Sequence, residues 1–335
     1  DWSSDVCSSD LWLAVALAAG LDRLVGDPRP WPHPVVAMGW WIGRFRTAAE
    51  ALAGDRPWAL RLAGMLITLA LLGGSGLGGW AIERLALDWP LAGGGLLVAG
   101  LASALAGRSL RLEVEAVQQL LPATADGDLT AARGRLAWIV GRDTDRLDRD
   151  GILRALAETA SENAVDGQLA PLFWMLVGAA LWCSAPGLPG PLSLAWAFKA
   201  SSTLDSMLGY RRGRLRWLGT AGARLDDALT WLPCRLTALS LGHWTEALDD
   251  GRPDPSPNAG VSQAAYAHAV GIRLGGLNHY RGEARSKPLL NRRGRPADTS
   301  ALGAILDLTG CISLGWLAAT GLAAAALQAW RWMQT

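Results

Sequence analysis

The stretch SENAVDGQLAPLFW at 161–174 places Glu162, Asn163 and Asp166 directly before an apolar run. Extending the step of four upstream adds Glu158 and Arg154, so Arg154, Glu158, Glu162 and Asp166 are predicted to share one helix face. Like charges at that spacing repel by about 0.2–0.5 kcal/mol per pair in water, and by more where the dielectric is low. A cation or cationic ligand seated against them removes that cost. Oxygen donors of this kind suit Mg²⁺ bridging to a phosphate better than they suit zinc. A solvated face carrying an Arg154–Glu158 pair fits the same spacing, and the pattern leaves both readings open.

Other stretches gather polar groups at element boundaries. Before the acidic helix, VGRDTDRLDRDG offers Arg142, Asp143 and Thr144 as a charged turn able to cap it. In VGDPRPWPHPVVAMG, four prolines hold Asp27 and His33 on a rigid backbone. FKASSTLDSMLGYRRGR brings Lys199, Ser201, Thr203 and Asp205 together, and ARLDDALTWLPCRL adds Asp226, Asp227 and Arg235. Paired carboxylates beside arginines hold a metal nucleotide or form surface ion pairs, and local pattern does not choose. SPNAG, from Ser256 through Asn258 to Gly260, is a proline-fixed turn opening a helix, where backbone N–H groups bind phosphate or simply receive a cap. GLNHYRGEARSKPLLNRRGRP reads as a basic loop containing Arg281, Arg285 and Lys287.

The elements that position these groups are helices in a membrane. Half of the 335 residues are hydrophobic and only 18% are charged, which excludes an ordinary cytosolic enzyme. The net charge of +1, with no basic block unopposed by acids, excludes a nucleic-acid partner. Spans are predicted near 11–21, 62–82, 91–107, 169–183, 191–198 and 302–327. The segments 22–61, 108–168 and 199–300 hold 29 of the 31 Lys and Arg residues, which assigns them to the cytoplasmic side and leaves 83–90 and 184–191 as short outer turns. Apolar residues recur at three and four in RSLRLEVEAVQQLL and GILRALAETASENAV, and no alternating β pattern appears, so the predicted fold class is all-α, a multi-pass helical membrane protein.

Some features are set aside. GSGLGG at 74–79 matches a dinucleotide fingerprint but lies in an apolar run with no preceding strand, so close packing of small residues is expected there. Cys7, Cys183, Cys234 and Cys311 are scattered singly and read as reduced thiols. The opening DWSSDVCSSDL has no initiator Met, carries acids where a signal peptide needs basic residues and nearly repeats itself, so residues 1–10 read as a non-native segment and 11–335 as one integral-membrane domain. Asp307 lies near the inner end of the last apolar run and is a functional candidate because acids in spans are costly.

The ordered set GDP…HPV, GRDT, SENAVDG…APLFW, TLDSMLGY, ARLDD…WLP.RL, SPNAG and RLGG resembles the adenosylcobinamide-phosphate synthase family of cobalamin biosynthesis, over roughly residues 11–310. The resemblance implies a multi-pass protein of the bacterial inner membrane with its active site facing the cytoplasm. It also implies ATP-dependent amide formation between the propionate of adenosylcobyric acid and (R)-1-amino-2-propanol O-2-phosphate. For that reaction the residue types assign Mg²⁺ to Glu158, Glu162 and Asp166, with Asp226 and Asp227 as a second group. Arg142, Lys199 and Arg235 balance phosphate charge, and Asp143, Thr144, Asn163 and Asp205 join the nucleotide site. Ser256 and Asn258 of the SPN turn take the aminopropanol phosphate, and Asp27, His33 and Lys199 form the catalytic set, with Asp27 or His33 receiving the ammonium proton. The chain departs from the family pattern at Ser202 and Thr230, where Asn is expected, and at Gln263, where an acid is expected. The implied partners are a corrinoid, an amino-alcohol phosphate, the bilayer and later membrane enzymes of the same pathway. A transporter would instead carry polar residues at mid-span, and a scaffold would need none of the charged clusters.

Overall fold

The structure, a computed structural model, describes residues 7–27, 33–124, 127–185 and 187–333, so the first six residues of the segment read as non-native lie outside the described residues. In chain order the elements are α1 (Cys7–Leu24), α2 (Pro34–Ala53), α3 (Pro57–Asp88), α4 (Pro90–Ala102), α5 (Gly107–Gln119), α6 (Thr130–Leu136), α7 (Arg149–Ala164), a π-helical turn (Val165–Leu169) and α8 (Ala170–Ser184). There follow α9 (Pro191–Leu208), α10 (Leu215–Leu218), α11 (Thr220–Ser240), α12 (Trp244–Gly251), α13 (Ala259–Val270), the strands β1 (Leu274–Tyr280) and β2 (Glu283–Leu290), and α14 (Thr299–Trp332). Proline stands at the first turn of α2, α3, α4 and α9, where its missing N–H has no helical partner to lose.

Three helical stretches are long and apolar enough to cross a membrane: α3, the run Arg149–Ser184 through the π turn, and Thr299–Trp330 of α14. The bent pair α4 and α5 makes a fourth if counted as one span. The fold is thus helical and membrane-type, as the apolar runs predict. The run at 91–107 is shorter than expected, because α4 ends at Ala102 and α5 is amphipathic.

The chain forms two compact units. One comprises Asp1–Ala106, Ala170–Leu229 and Gly315–Thr335; the other comprises Gly107–Leu169 and Thr230–Leu314. In the first unit α9 packs along α3 and α8. GSGLGG lies in this contact: a Cβ on Gly79 would meet Ser193 N at 2.7 Å, and Ser193 Oγ donates to Gly76 O at 2.8 Å. Small residues here allow backbone contact between helices, as the apolar context predicts.

One end of this packing turns on Glu83. Its buried carboxylate accepts N–H bonds from Gly190 (3.0 Å), Leu192 (2.6 Å) and Ser193 (3.0 Å), satisfying the open N-terminus of α9 from a neighbouring helix. Beside it, Arg84 stacks on Trp80 and Trp182, and Trp80 Nε1 donates to Gly187 O. The two turns assigned to the outer side therefore lie together.

In the second unit α7 packs against α5, α6, α13 and β1, and α12 against α13. The unit also contains an antiparallel hairpin, with Leu277 opposite Ser286 and Tyr280 opposite Glu283. This overturns the loop reading over 276–290. No apolar alternation marks β1, because its buried residues are Leu274, Gly275 and Asn278 while Leu277 is 56% exposed.

Glu83→Ala is expected to strand three backbone donors at about 1–3 kcal/mol each. It should lower the thermal midpoint of the detergent-solubilised protein markedly, with Glu83→Gln in between.

Candidate functional site

A polar cavity of about 300 Å³ lies within the second unit, walled by residues 139–141 and by Arg142, Thr159, Glu162, Asn163, Tyr280 and Lys287. Helix α7 supplies Thr159, Glu162 and Asn163; the loop before it supplies 139–142; the hairpin supplies Tyr280 and Lys287.

Each wall is held by hydrogen bonds from buried groups. Arg142 pairs with Glu158, the two being 8% and 1% exposed, and its Nη1 donates to Asn278 Oδ1 at 2.8 Å. The other oxygen of Glu158 accepts the N–H of Gly275 at 2.8 Å. Arg154 does not pair with Glu158; it donates to Gly275 O, Leu277 O and Asn278 Oδ1, mooring β1. This explains RLGG: Gly275 adopts φ +83, and a Cβ there would stand 1.8 Å from Pro288 O.

Glu162 is partly open to the cavity and accepts a bond from Gln263 Nε2 at 2.9 Å, with Lys287 among its charged neighbours. Lys287 Nζ lies 3.7 Å from Asp254 Oδ2. Burial alone would depress the lysine, but Asp254 and Glu162 outweigh it and hold its pKa above the usual value. Asn163 is exposed, and its Nδ2 turns back to Thr159 O and Oγ1.

The carboxylates spaced by four do not act as one set. The wide π turn begins at Val165, ahead of Pro171, which lacks an N–H to give to the carbonyl four residues back and so disfavours a regular helix at this point. Asp166 sits inside this π turn and is in electrostatic range of buried Cys234. Among the described residues no group of three or more His, Cys, Asp or Glu side chains is arranged to hold a metal ion.

Several predicted contacts turn out to have protein partners. Asp148, not Asp143 or Thr144, caps α7, accepting from Gly151 N at 2.8 Å. Thr144 is buried and donates to Arg133 O. Asp143 accepts the backbone N–H groups of Arg281 and Gly282, and the Gly282 and Arg281 amides hold its carboxyl below the ordinary carboxylate range. Arg235 is buried and clasps the SPN turn through Asn258 Oδ1 (2.6 Å) and Pro257 O (2.8 Å). Ser256 Oγ accepts from Asn258 and Ala259 N, closing the turn before α13, whose N-cap is Asn258. Cys234, its thiol pushed up to about 12 by burial, donates to Asn258 O. Asp307 pairs with Arg111 at 2.6 Å and is solvent-exposed.

The first unit holds the remaining predicted residues. His33 caps α2, its Nδ1 accepting from Val35 N at 3.2 Å, so Nε2 carries the proton given to Asp27 Oδ1 at 3.1 Å. His33 also edges a mostly apolar cavity of about 550 Å³ lined by Trp41, Phe45 and Trp196. Asp205, Asp226 and Asp227 are electrostatic neighbours, with Lys199 beside Asp226.

Comparison with known proteins decides the family. The model of the CobD/Cbib protein family matches residues 15–309. The chain belongs to this family. The cobalamin biosynthesis protein CobD of Synechocystis sp. is 42% identical over 290 residues, covering 83% of this chain and 82% of the relative. The cobalamin biosynthesis protein CbiB of Salmonella choleraesuis is 38% identical over 327 residues, covering 92% and 94%. CobD of Citrobacter koseri is 37% identical over 328 residues with the same coverage. No solved structure matches the chain. The ordered motifs therefore identified the CobD/CbiB family correctly.

Reading residues in isolation missed Lys287, Tyr280 and Thr159 as parts of one cavity, and Gln263 as the residue that bonds Glu162. The available signal was composition: Lys287 is one of only two lysines against 29 arginines.

Arg142→Ala in this CobD/CbiB protein is expected to leave Glu158 charged and buried, costing about 3–5 kcal/mol. Thermal unfolding in detergent checks this, and the double variant lacking both charges should recover part of the loss. Burial first, then Asp205 and Asp227, push Asp226 from 3.8 up to about 7, against Lys199. A raised folded-state value means that the stabilisation is complete below pH 3.8 and lost as pH rises through about 7. The melting temperature should fall between pH 5 and pH 8, and Asp226→Asn should flatten that slope.

Proposed function

We propose that the chain joins the propionate carboxylate of adenosylcobyric acid to (R)-1-amino-2-propanol O-2-phosphate in an ATP-dependent reaction, giving adenosylcobinamide phosphate. Family membership and the relatives' names support the pathway. The observation that carries the chemistry is the small polar cavity lined by both Lys287 and Glu162, which interact electrostatically. About 300 Å³ is at the low end of small-molecule sites, suited to an amino-alcohol phosphate and too small for a corrinoid. Its polar character separates it from the larger aromatic cavity of the first unit.

In this reading Lys287 meets the phosphate and Glu162 meets the ammonium, later taking its proton. The Gln263 bond orients the Glu162 carboxylate, so the group that receives the proton is already placed. Thr159 and Asn163 line the same wall and supply neutral polar contacts. When bound, ATP supplies the phosphoryl group that turns a carboxylate into an acylating agent, and Mg²⁺ neutralises phosphate charge. The residues fit an ion carried in on the nucleotide and held by one or two carboxylates, rather than a protein cage. Asp226 with Asp227 in the first unit are the candidates.

The cavity residues fall in 108–168 and 199–300, the segments rich in Arg and Lys, which supports a bacterial inner-membrane protein with its site on the cytoplasmic side.

Membranes containing the protein, given adenosylcobyric acid, the amino-alcohol phosphate, ATP and Mg²⁺, should form the amide with release of one ADP and one inorganic phosphate per amide. Glu162→Gln should lower the rate at least about 100-fold, in the range of lost general-base catalysis. Lys287→Met should act mainly by raising KM for the amino-alcohol phosphate. Amide formation at parental rates by both variants would overturn the assignment.

A further inference from the structure

The hairpin turn between Tyr280 and Glu283 consists of Arg281 at φ +56 and Gly282 at φ +81. Two left-handed residues match the twist of a tight hairpin, but an arginine at the first of them is costly, by about 1–2 kcal/mol. Asn, Asp or Gly would suit that position better. Compensation comes from outside the hairpin. Asp143 accepts Arg281 N at 2.8 Å and Gly282 N at 2.6 Å, and its own N–H donates to His279 O at 2.8 Å. Three hydrogen bonds from one residue close around the tip.

The placement of that residue matters because both of its neighbourhoods are cavity walls. Residues 139–142, immediately before Asp143, form one wall; Tyr280, immediately before the turn, and Lys287, on the returning strand, form part of the opposite one. Arg142 and Arg154 moor the middle of β1 through Asn278, so the strand's base is fixed without Asp143 and only the distal end depends on it.

We infer that Asp143 is a positioning residue: by holding both turn amides it sets the distance between the 139–142 wall and the Tyr280–Lys287 wall, and through it the affinity for the phosphate-bearing co-substrate. The ligand's identity rests on the proposed function; the mechanical role does not.

The test uses the full chain in detergent, comparing Asp143→Ala and Asp143→Asn with the parent. Hydrogen exchange read by mass spectrometry should speed up about tenfold or more at the 280–283 turn in the alanine variant, with α7 and α13 protected as in the parent. KM for the amino-alcohol phosphate should rise about tenfold while kcat stays within about threefold. The dissociation constant of inorganic phosphate should rise in parallel. Asparagine keeps one carbonyl acceptor and should fall between. Unchanged exchange at the turn, a kcat loss with KM unmoved, or a loosened turn with unaltered KM and phosphate binding would each overturn the inference. So would loss of protection throughout α7 and α13 in both variants, which would make the role one of general stability. If the parent makes no amide, the ligase reading fails, while exchange and phosphate binding still decide what Asp143 does.

Discussion

Glu158 is almost fully buried on a helix whose other inward residues include Leu156, Ala157, Ala160 and Ala164, so its charge has to be met by protein groups. Arg142 and the Gly275 amide do so, from the loop before the helix and from the start of the hairpin. One carboxylate thereby ties together the three elements that wall the cavity. A buried ion pair of this kind adds little stability compared with apolar residues of the same size, but leaving one member alone is expensive. Its physical effect is therefore specificity of arrangement: the hairpin cannot leave α7, nor the loop unravel, without stranding a charge. Asn278 extends the constraint, since its oxygen receives both Arg142 and Arg154.

The same logic separates the acids that seem equivalent in a helical-wheel reading. Glu158 is satisfied by an arginine and an amide, and Asp166 lies within the π turn. Glu162 alone of the three opens into the cavity, and its partners are a neutral amide and a lysine at longer range. Each carboxylate has a different neighbourhood, although Glu162 still feels the charge of Glu158. Of the three, Glu162 is the one that lines the cavity.

Legibility followed the range of the interaction. The spans α3 and α14 were readable because twenty apolar residues in a row admit few other structures, and the SPN turn was readable as the start of α13 because proline and serine act locally. The hairpin was not, since Asn278 is among its buried positions while Leu277 is exposed. Nor could the sequence choose among the acids of GRDTDRLDRD: Asp143 and Asp148 look alike in the string, yet one caps a helix three residues on while the other reaches a turn some 140 residues away. Arg235 shows the same limit, for its partners at Pro257 and Asn258 are set by tertiary contact, and only coordinates reveal that the SPN turn is clasped from within.

Gln263 gives the departures from the family pattern a physical meaning. An acid at that buried position would put a second carboxylate against Glu162, and the pair would need a shared proton or a bound cation to coexist. The amide replaces that demand with a donor, so Glu162 gains a hydrogen bond where it would otherwise meet a like charge. Lys287 then faces a smaller negative field, made by Glu162, Asp254 and the more distant Glu158. With one fewer acid to balance, the lysine's charge is less fully neutralised by protein and more available to an incoming anion.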